Sequence, residues 1–140
     1  MIETKKIIWL LCLGAAFFAF LYRPGKVRAE GEHRNLSPVQ ARELIEKSTG
    51  NPDFVLLDVR TPGEFRSERI GGAVMIDYNS GTFRADMAGL DRGKTYIVYC
   101  RTGNRSDGAL KVMKEEGFRN VYHLDGGIVK WKEAGLPTQK

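Results

Sequence analysis

Histidine and cysteine are scarce in this sequence, two of each in 140 residues, and their placement removes several chemistries. There is no C-x-x-C pair and no Cys/His cluster. His33 and His123 stand isolated, so a structural zinc site lacks its ligands. Cys12 lies in an apolar run and Cys100 inside the domain, so the two do not read as a disulfide. Net positive charge is also small where nucleic-acid binding would need it. The net charge is +5, but residues Met1 to Ala29 hold five Lys or Arg against Glu3 alone. From Glu30 onward, 17 basic residues face 16 acidic ones. A domain so balanced has no general pull on a phosphate backbone, which argues against nucleic acid as a partner. No internal repeat and no low-complexity tract is present, and the length suits one domain rather than two.

What is present begins with a leader. Ile7 to Tyr22 (IIWLLCLGAAFFAFLY) is an uncharged apolar run, preceded by Lys5-Lys6 and ended by Arg23-Pro24-Gly25. As a helix it would extend roughly 24 Å, short of a ~30 Å hydrocarbon core. Val27-Arg28-Ala29 offers small residues at the −3 and −1 positions of a signal-peptidase cut before Glu30. Residues 1–29 are therefore expected to be a signal peptide or a retained membrane anchor through residues 7–22. The domain is expected to be exported, periplasmic or otherwise extracytoplasmic.

Residues 30–35 are polar and read as a linker, with the domain over residues 36–138. Ser37-Pro38-Val39-Gln40 is a helix start with a capping box and proline in the first turn; the helix runs to about Ser48. Phe54 to Val59 (FVLLDV) is a short continuous apolar run, the mark of a strand covered on both faces. Ala73 to Ile76 and Tyr96 to Tyr99 repeat it, and Val121 to Leu124 is a more mixed fourth. Helical spacing falls over Ser106 to Glu116 and again around Ile128 to Ala134. Strands interleaved with helices predict an α/β domain with a central, largely parallel sheet flanked by helices.

Cys100 stands where the strand Tyr96–Tyr99 runs into Cys100-Arg101-Thr102-Gly103-Asn104-Arg105-Ser106 and then a helix. A short loop from a strand end to a helix N-terminus turns successive N–H groups toward one point, an anion cradle. A thiol at its base is favoured as thiolate by those donors and by the helix dipole. Gly103 lets the backbone bend, and Arg105 carries a planar fork of donors for an oxyanion or the loop carbonyls.

Asp58-Val59-Arg60-Thr61-Pro62-Gly63-Glu64-Phe65, Ile70-Gly71-Gly72-Ala73, the loop CRTGNRS and Gly126-Gly127 followed by Trp131 together resemble the rhodanese family over Leu36 to Pro137. The resemblance implies a rhodanese-like fold and a sulfurtransferase. Cys100 would be its nucleophile, with Arg101, Thr102, Gly103, Asn104, Arg105 and Ser106 forming the substrate-binding cradle. Sulfane sulfur would pass from thiosulfate or a persulfide donor, through a Cys100 persulfide, to a thiol or cyanide acceptor. No metal or organic cofactor is implied. Asp58 and Arg60 are expected in supporting roles, Asp58 in a structural ion pair with Arg60 or Arg105 and Arg60 either at the rim or anchoring a turn. Ser106 is read as a helix cap. Glu64, Phe65, Gly126, Gly127, Trp131 and His123 are read as structural. Phosphatases of related fold have five residues between Cys and Arg where this chain has four, which favours sulfur over phosphate. The alternative is a module that carries sulfur or binds an anion without turnover and presents Cys100 to a partner. A reducing or sulfur-accepting protein partner is a further expectation. The chain departs from the family at Glu68-Arg69, where many members have Gly-His, so an altered turn is expected there.

Overall fold

The computed structural model describes residues 31–140; the leader and its expected cleavage site lie outside the described residues. The strands are β1 (His33–Leu36), β2 (Phe54–Asp58), β3 (Val74–Met75), β4 (Thr95–Tyr99) and β5 (Asn120–Leu124). The helices are α1 (Pro38–Lys47), α2 (Pro62–Ser67), α3 (Phe83–Ala88), α4 (Asn104–Glu115) and α5 (Gly127–Glu133). All strand pairs are parallel, as the apolar runs predict, and the strand order is β1-β5-β4-β2-β3.

The sheet separates two apolar layers. On one face Leu57, Val59, Tyr96, Val98 and Val121 pack with Phe83 and Met87 of α3 and Ala109 and Met113 of α4. On the other, Leu56, Ile97, Tyr99 and Leu124 pack with Ala41 of α1 and Ile128 and Trp131 of α5. Each fully buried aliphatic or aromatic side chain contributes about 1.5–3 kcal/mol, so these two layers hold the sheet between its helices. Because every strand points the same way, all five carboxyl ends lie at one end of the sheet. Cys100 follows β4 directly at that end.

Local signals act as read at α1, where Ser37 and Gln40 close the expected capping box. Two helices were not anticipated. One, α2, starts on a second capping box between Thr61 and Glu64 behind Pro62. The other, α3, is held by its buried residues Phe83 and Met87. The expected linker 30–35 is corrected as well. Residues 33–36 form the edge strand β1, paired in register from His33↔Val121 to Leu36↔Leu124, so the fold starts before residue 36. At the other terminus Gln139 pairs with Arg69 in an antiparallel bridge. Among the described residues, no helix is long and apolar enough to cross a membrane.

Candidate active site

The loop from Cys100 to Ser106 forms as its sequence suggests. Gly103 takes φ 115°, a left-handed conformation that favours glycine, and the turn there delivers its N–H to Cys100 Sγ at 3.1 Å. Ser106, fully buried in the first turn of α4, donates its hydroxyl toward Sγ at 3.3 Å. Cys100 is itself 1% exposed. Burial is the largest single influence on its thiol and works against ionisation. The hydrogen bonds from the Ser106 hydroxyl and from the Ser106, Gly103 and Thr102 backbone outweigh it and hold the thiol below its ordinary value. The arrangement can therefore stabilise a sulfur anion at Cys100. Arg101, Thr102 and Asn104 are exposed around this buried base.

The loop is fixed from two sides. Arg105 makes a two-pronged pair with Glu64 of α2, Nη1 to Oε2 at 2.7 Å and Nη2 to Oε1 at 2.9 Å. Its guanidinium is thus occupied as a brace rather than presented to a ligand. Glu64 also accepts from the Thr61 N–H and hydroxyl at 3.0 Å each. The Arg105 bonds, opposed by burial and aided by Thr61, bring the Glu64 carboxyl down to about 2. On the other side, α5 offers the N–H groups of Ile128 and Val129 to the carbonyls of Cys100 and Arg101 at 3.0 and 3.1 Å. Gly127 sits between them at φ 61°, and a Cβ there would collide with the Cys100 and Arg101 carbonyl oxygens. The Gly126-Gly127 pair therefore supports the loop as well as starting a helix.

Of the two partners expected for Asp58, the structure pairs it with Arg60, away from solvent, and gives Arg105 to Glu64. Arg60 Nη2 lies 2.7 Å from Asp58 Oδ2 and also donates to the Glu68 carbonyl. Asp58 is fully buried and Arg60 is 4% exposed, so Arg60 anchors the turn and supplies no open charge at a rim. The Glu68-Arg69 departure has a structural use. Glu68 accepts from Lys132 of α5 and from Thr138, and Arg69 pairs with Gln139, so this turn ties down the C-terminal segment.

Sequence reasoning missed one neighbour of the sulfur. His123, isolated in sequence and read as structural, has its Nε2 2.7 Å from Ser106 Oγ. Its other nitrogen lies 3.3 Å from Asn35 Oδ1 of β1, in the segment read as linker. Strand alternation and the pairing of His123 with Val98, two residues before Cys100, place the imidazole on the α4 face. No local pattern announces that register. A cavity of about 420 Å³ between the end of α1, β2 and Gly71-Gly72 has no titratable side chain in its lining and stands apart from this chemistry.

Comparisons with known proteins agree with this fold. The profile of the rhodanese-like domain family matches residues 38–134. The chain is 36% identical over 101 residues to the probable adenylyltransferase/sulfurtransferase MoeZ of Mycobacterium tuberculosis, covering 72% of this chain and 26% of that protein. It is 28% identical over 102 residues to a sulfurtransferase of Allochromatium vinosum, covering 73% and 94%. The chain spans only 26% to 55% of the length of several curated relatives that it matches. Among solved structures, a rhodanese-related protein of Thermoplasma volcanium superposes with a TM-score of 0.65 at 29% identity, over 76% of this chain and 97% of that one.

Proposed function

The chain belongs to the rhodanese-like domain family, and on that premise we propose that it is a sulfurtransferase carrying sulfane sulfur on Cys100. The observation that carries the reading is the sulfur itself, at the end of β4, receiving the Gly103 N–H and the Ser106 hydroxyl. The sulfurtransferase names of the Mycobacterium and Allochromatium relatives add support. In the first step the Cys100 thiolate attacks the outer sulfur of thiosulfate, or of a persulfide donor. The donor S–S bond breaks, and its electron pair leaves with sulfite or a thiolate. Cys100 then holds a persulfide whose terminal sulfur bears the negative charge. In the second step cyanide or a thiolate attacks that sulfur, and the electron pair of the broken S–S bond returns to Cys100 as thiolate. Arg101, exposed within the loop, is assigned the attraction of the anionic donor.

The experiment is the intact mass of the full-length protein and of its Cys100→Ser variant, after thiosulfate and then after cyanide. Gain of one sulfur that needs Cys100 and disappears with cyanide supports the reading. A folded, reduced protein that gains no sulfur from thiosulfate or from a persulfide donor refutes it. The burial of Cys100 favours one second reading, a carrier that hands its sulfur only to a docked partner. One loading event without repeated turnover on thiosulfate and cyanide would select it. We further place the domain outside the cytoplasm, on the apolar run Ile7–Tyr22 and the small residues before Glu30. N-terminal sequencing of the fractionated protein distinguishes cleavage after Ala29 from a retained anchor, and a cytoplasmic protein with an intact, unanchored leader would overturn the placement.

A further inference from the structure

The one hydroxyl proton of Ser106 has three acceptors in reach: Cys100 Sγ at 3.3 Å, the Gly103 carbonyl at 3.0 Å and His123 Nε2 at 2.7 Å. The far side of the imidazole decides between them. Asn35 sets its carbonyl oxygen, Oδ1, 3.3 Å from His123 Nδ1, so Nδ1 carries the ring hydrogen and donates it. A neutral ring holds a single N–H, which leaves Nε2 bare and turned toward Ser106 Oγ. Beside a neutral ring, Ser106 gives its proton to Nε2 by the shortest of its three contacts and faces the sulfur with its lone pairs. Those lone pairs can accept an S–H hydrogen. Cys100, Ser106, His123 and Asn35 then form one run of hydrogen bonds in which each donor meets an acceptor, and it begins on the thiol.

A proton can pass along that run. The Cys100 S–H bond breaks and leaves its electron pair on Sγ, while the proton bonds to Ser106 Oγ. At the same time the Ser106 O–H bond breaks, and its proton bonds to the lone pair of Nε2. The products are a thiolate and an imidazolium, and no hydrogen bond is lost. Nε2–H now donates to Ser106 Oγ, the Ser106 hydroxyl donates to Sγ, and Nδ1–H still donates to Asn35. The sulfur needs such an outlet, because Cys100 is 1% exposed and Ser106 is fully buried. His123 is itself buried among acids. Burial lowers its pKa, and the carboxylates of Asp107 on α4 and Asp125 after β5, with the Gly103 backbone, pull the other way. From β1 it meets only the neutral amide of Asn35. A thiolate two hydrogen bonds away adds a third negative charge in favour of the imidazolium.

We infer that His123 is a positioning residue that holds the Cys100 proton: through Ser106, with Nδ1 anchored on Asn35, it takes up the proton of the thiol and keeps it as an imidazolium beside the thiolate. This rests on Cys100 as the sulfur carrier. It supplies what the loop donors do not, an acceptor for the proton that the thiol must lose before it can attack a donor. Cys100 and His123 then titrate as a coupled pair.

The test uses the full-length protein and two readouts. One is the titration of the His123 ring by NMR in the reduced wild type and in Cys100→Ser, with His33→Gln identifying the signal. A proton shared with the thiol keeps His123 charged to higher pH in the wild type, by about one pH unit or more relative to Cys100→Ser, whose hydroxyl does not ionise in that range. The other is the pH midpoint of Cys100 alkylation by iodoacetamide in His123→Phe and His123→Gln. Both variants lack the proton acceptor, and both should raise the midpoint by about one pH unit and slow alkylation about tenfold below it. A hydrogen-bonding role alone predicts otherwise, because the Gln amide can donate to Ser106 Oγ and would restore the wild-type midpoint. Identical His123 titrations in the wild type and Cys100→Ser overturn the inference, as does Gln at the wild-type midpoint. The first comparison needs no substitution at His123, so it decides the matter even where the Phe and Gln variants do not fold. Neither readout depends on sulfur loading. A shifted His123 in a protein that gains no sulfur would sink the transfer reading and leave the pairing standing, and an unshifted one in a protein that loads sulfur would do the reverse.

Discussion

Glu64→Gln removes a charge and leaves the shape of the contact between α2 and the Cys100 loop. Glu64 titrates at about 2 in the folded protein against an ordinary 4.5, chiefly because of Arg105. A displacement of that size corresponds to about 3 kcal/mol if nothing weakens it. The Glu64 side chain is 29% exposed, and solvent screening together with the hydrogen bonds that Gln retains reduces the expected loss to roughly 1.5 kcal/mol. For a domain of this size that is a fall in melting temperature of roughly 5 °C at neutral pH. The sign with pH follows from the direction of the displacement. A carboxyl lowered in the folded state contributes fully above its unfolded value and loses that contribution as pH falls from about 4.5 toward 2. Thermal melts followed by circular dichroism from pH 7 to pH 2.5 should therefore show the wild type and variant converging on the acid side. A gap that stays constant over that range, or no gap at pH 7, would refute the assignment of stability to this ion pair.

Other outcomes are expected. Gly127→Ala puts a methyl group onto the Cys100 and Arg101 carbonyls at a φ of 61°; it should slow sulfur loading at least tenfold by mass spectrometry, and an unchanged rate would refute the support role of α5. Arg60→Met leaves the buried Asp58 carboxylate without its partner and should cost about 3–5 kcal/mol in urea unfolding. Asp58→Asn added to it should recover part of that loss, whereas simple additivity would deny the coupling. Iodoacetamide alkylation of wild-type Cys100 should keep its rate below the ordinary thiol range and fall only as pH drops through the lowered value. A midpoint at or above that range would mean that burial prevails over the loop donors.

Much of this site could be read without coordinates because its signals are local. The strand Thr95–Tyr99 is a continuous apolar run, and the residues after it carry a glycine where the chain must turn left-handed and a serine at the helix start. The start of α2 is equally local, Thr61-Pro62 with Glu64 three residues after the cap, although the same residues also belong to the motif Asp58–Phe65 that carries the resemblance. Other features are set by pairing across the fold. His33–Leu36 is polar apart from Leu36, and it becomes a strand because β5 offers it an edge. His123 reaches Ser106 only because β5 pairs with β4 in the register Val98↔His123. Arg60 turned inward for a related reason: Asp58, at the end of β2, is fully buried and needs a cation. Spacing along the chain contains none of these distances.

The parallel arrangement also orients the domain as a whole. β1 is entered at His33, at the amino end of the sheet, where Gly31 presses against the backbone of Arg119 just ahead of β5. Cys100 lies past the carboxyl end of β4, about 17 Å along the sheet from where that five-residue strand begins. Any tether that reaches residue 31 therefore arrives at the pole opposite the thiol. Held to a surface by such a tether, the domain would turn its reactive end outward, and a soluble donor or a partner protein would meet Cys100 without having to pass between the domain and that surface.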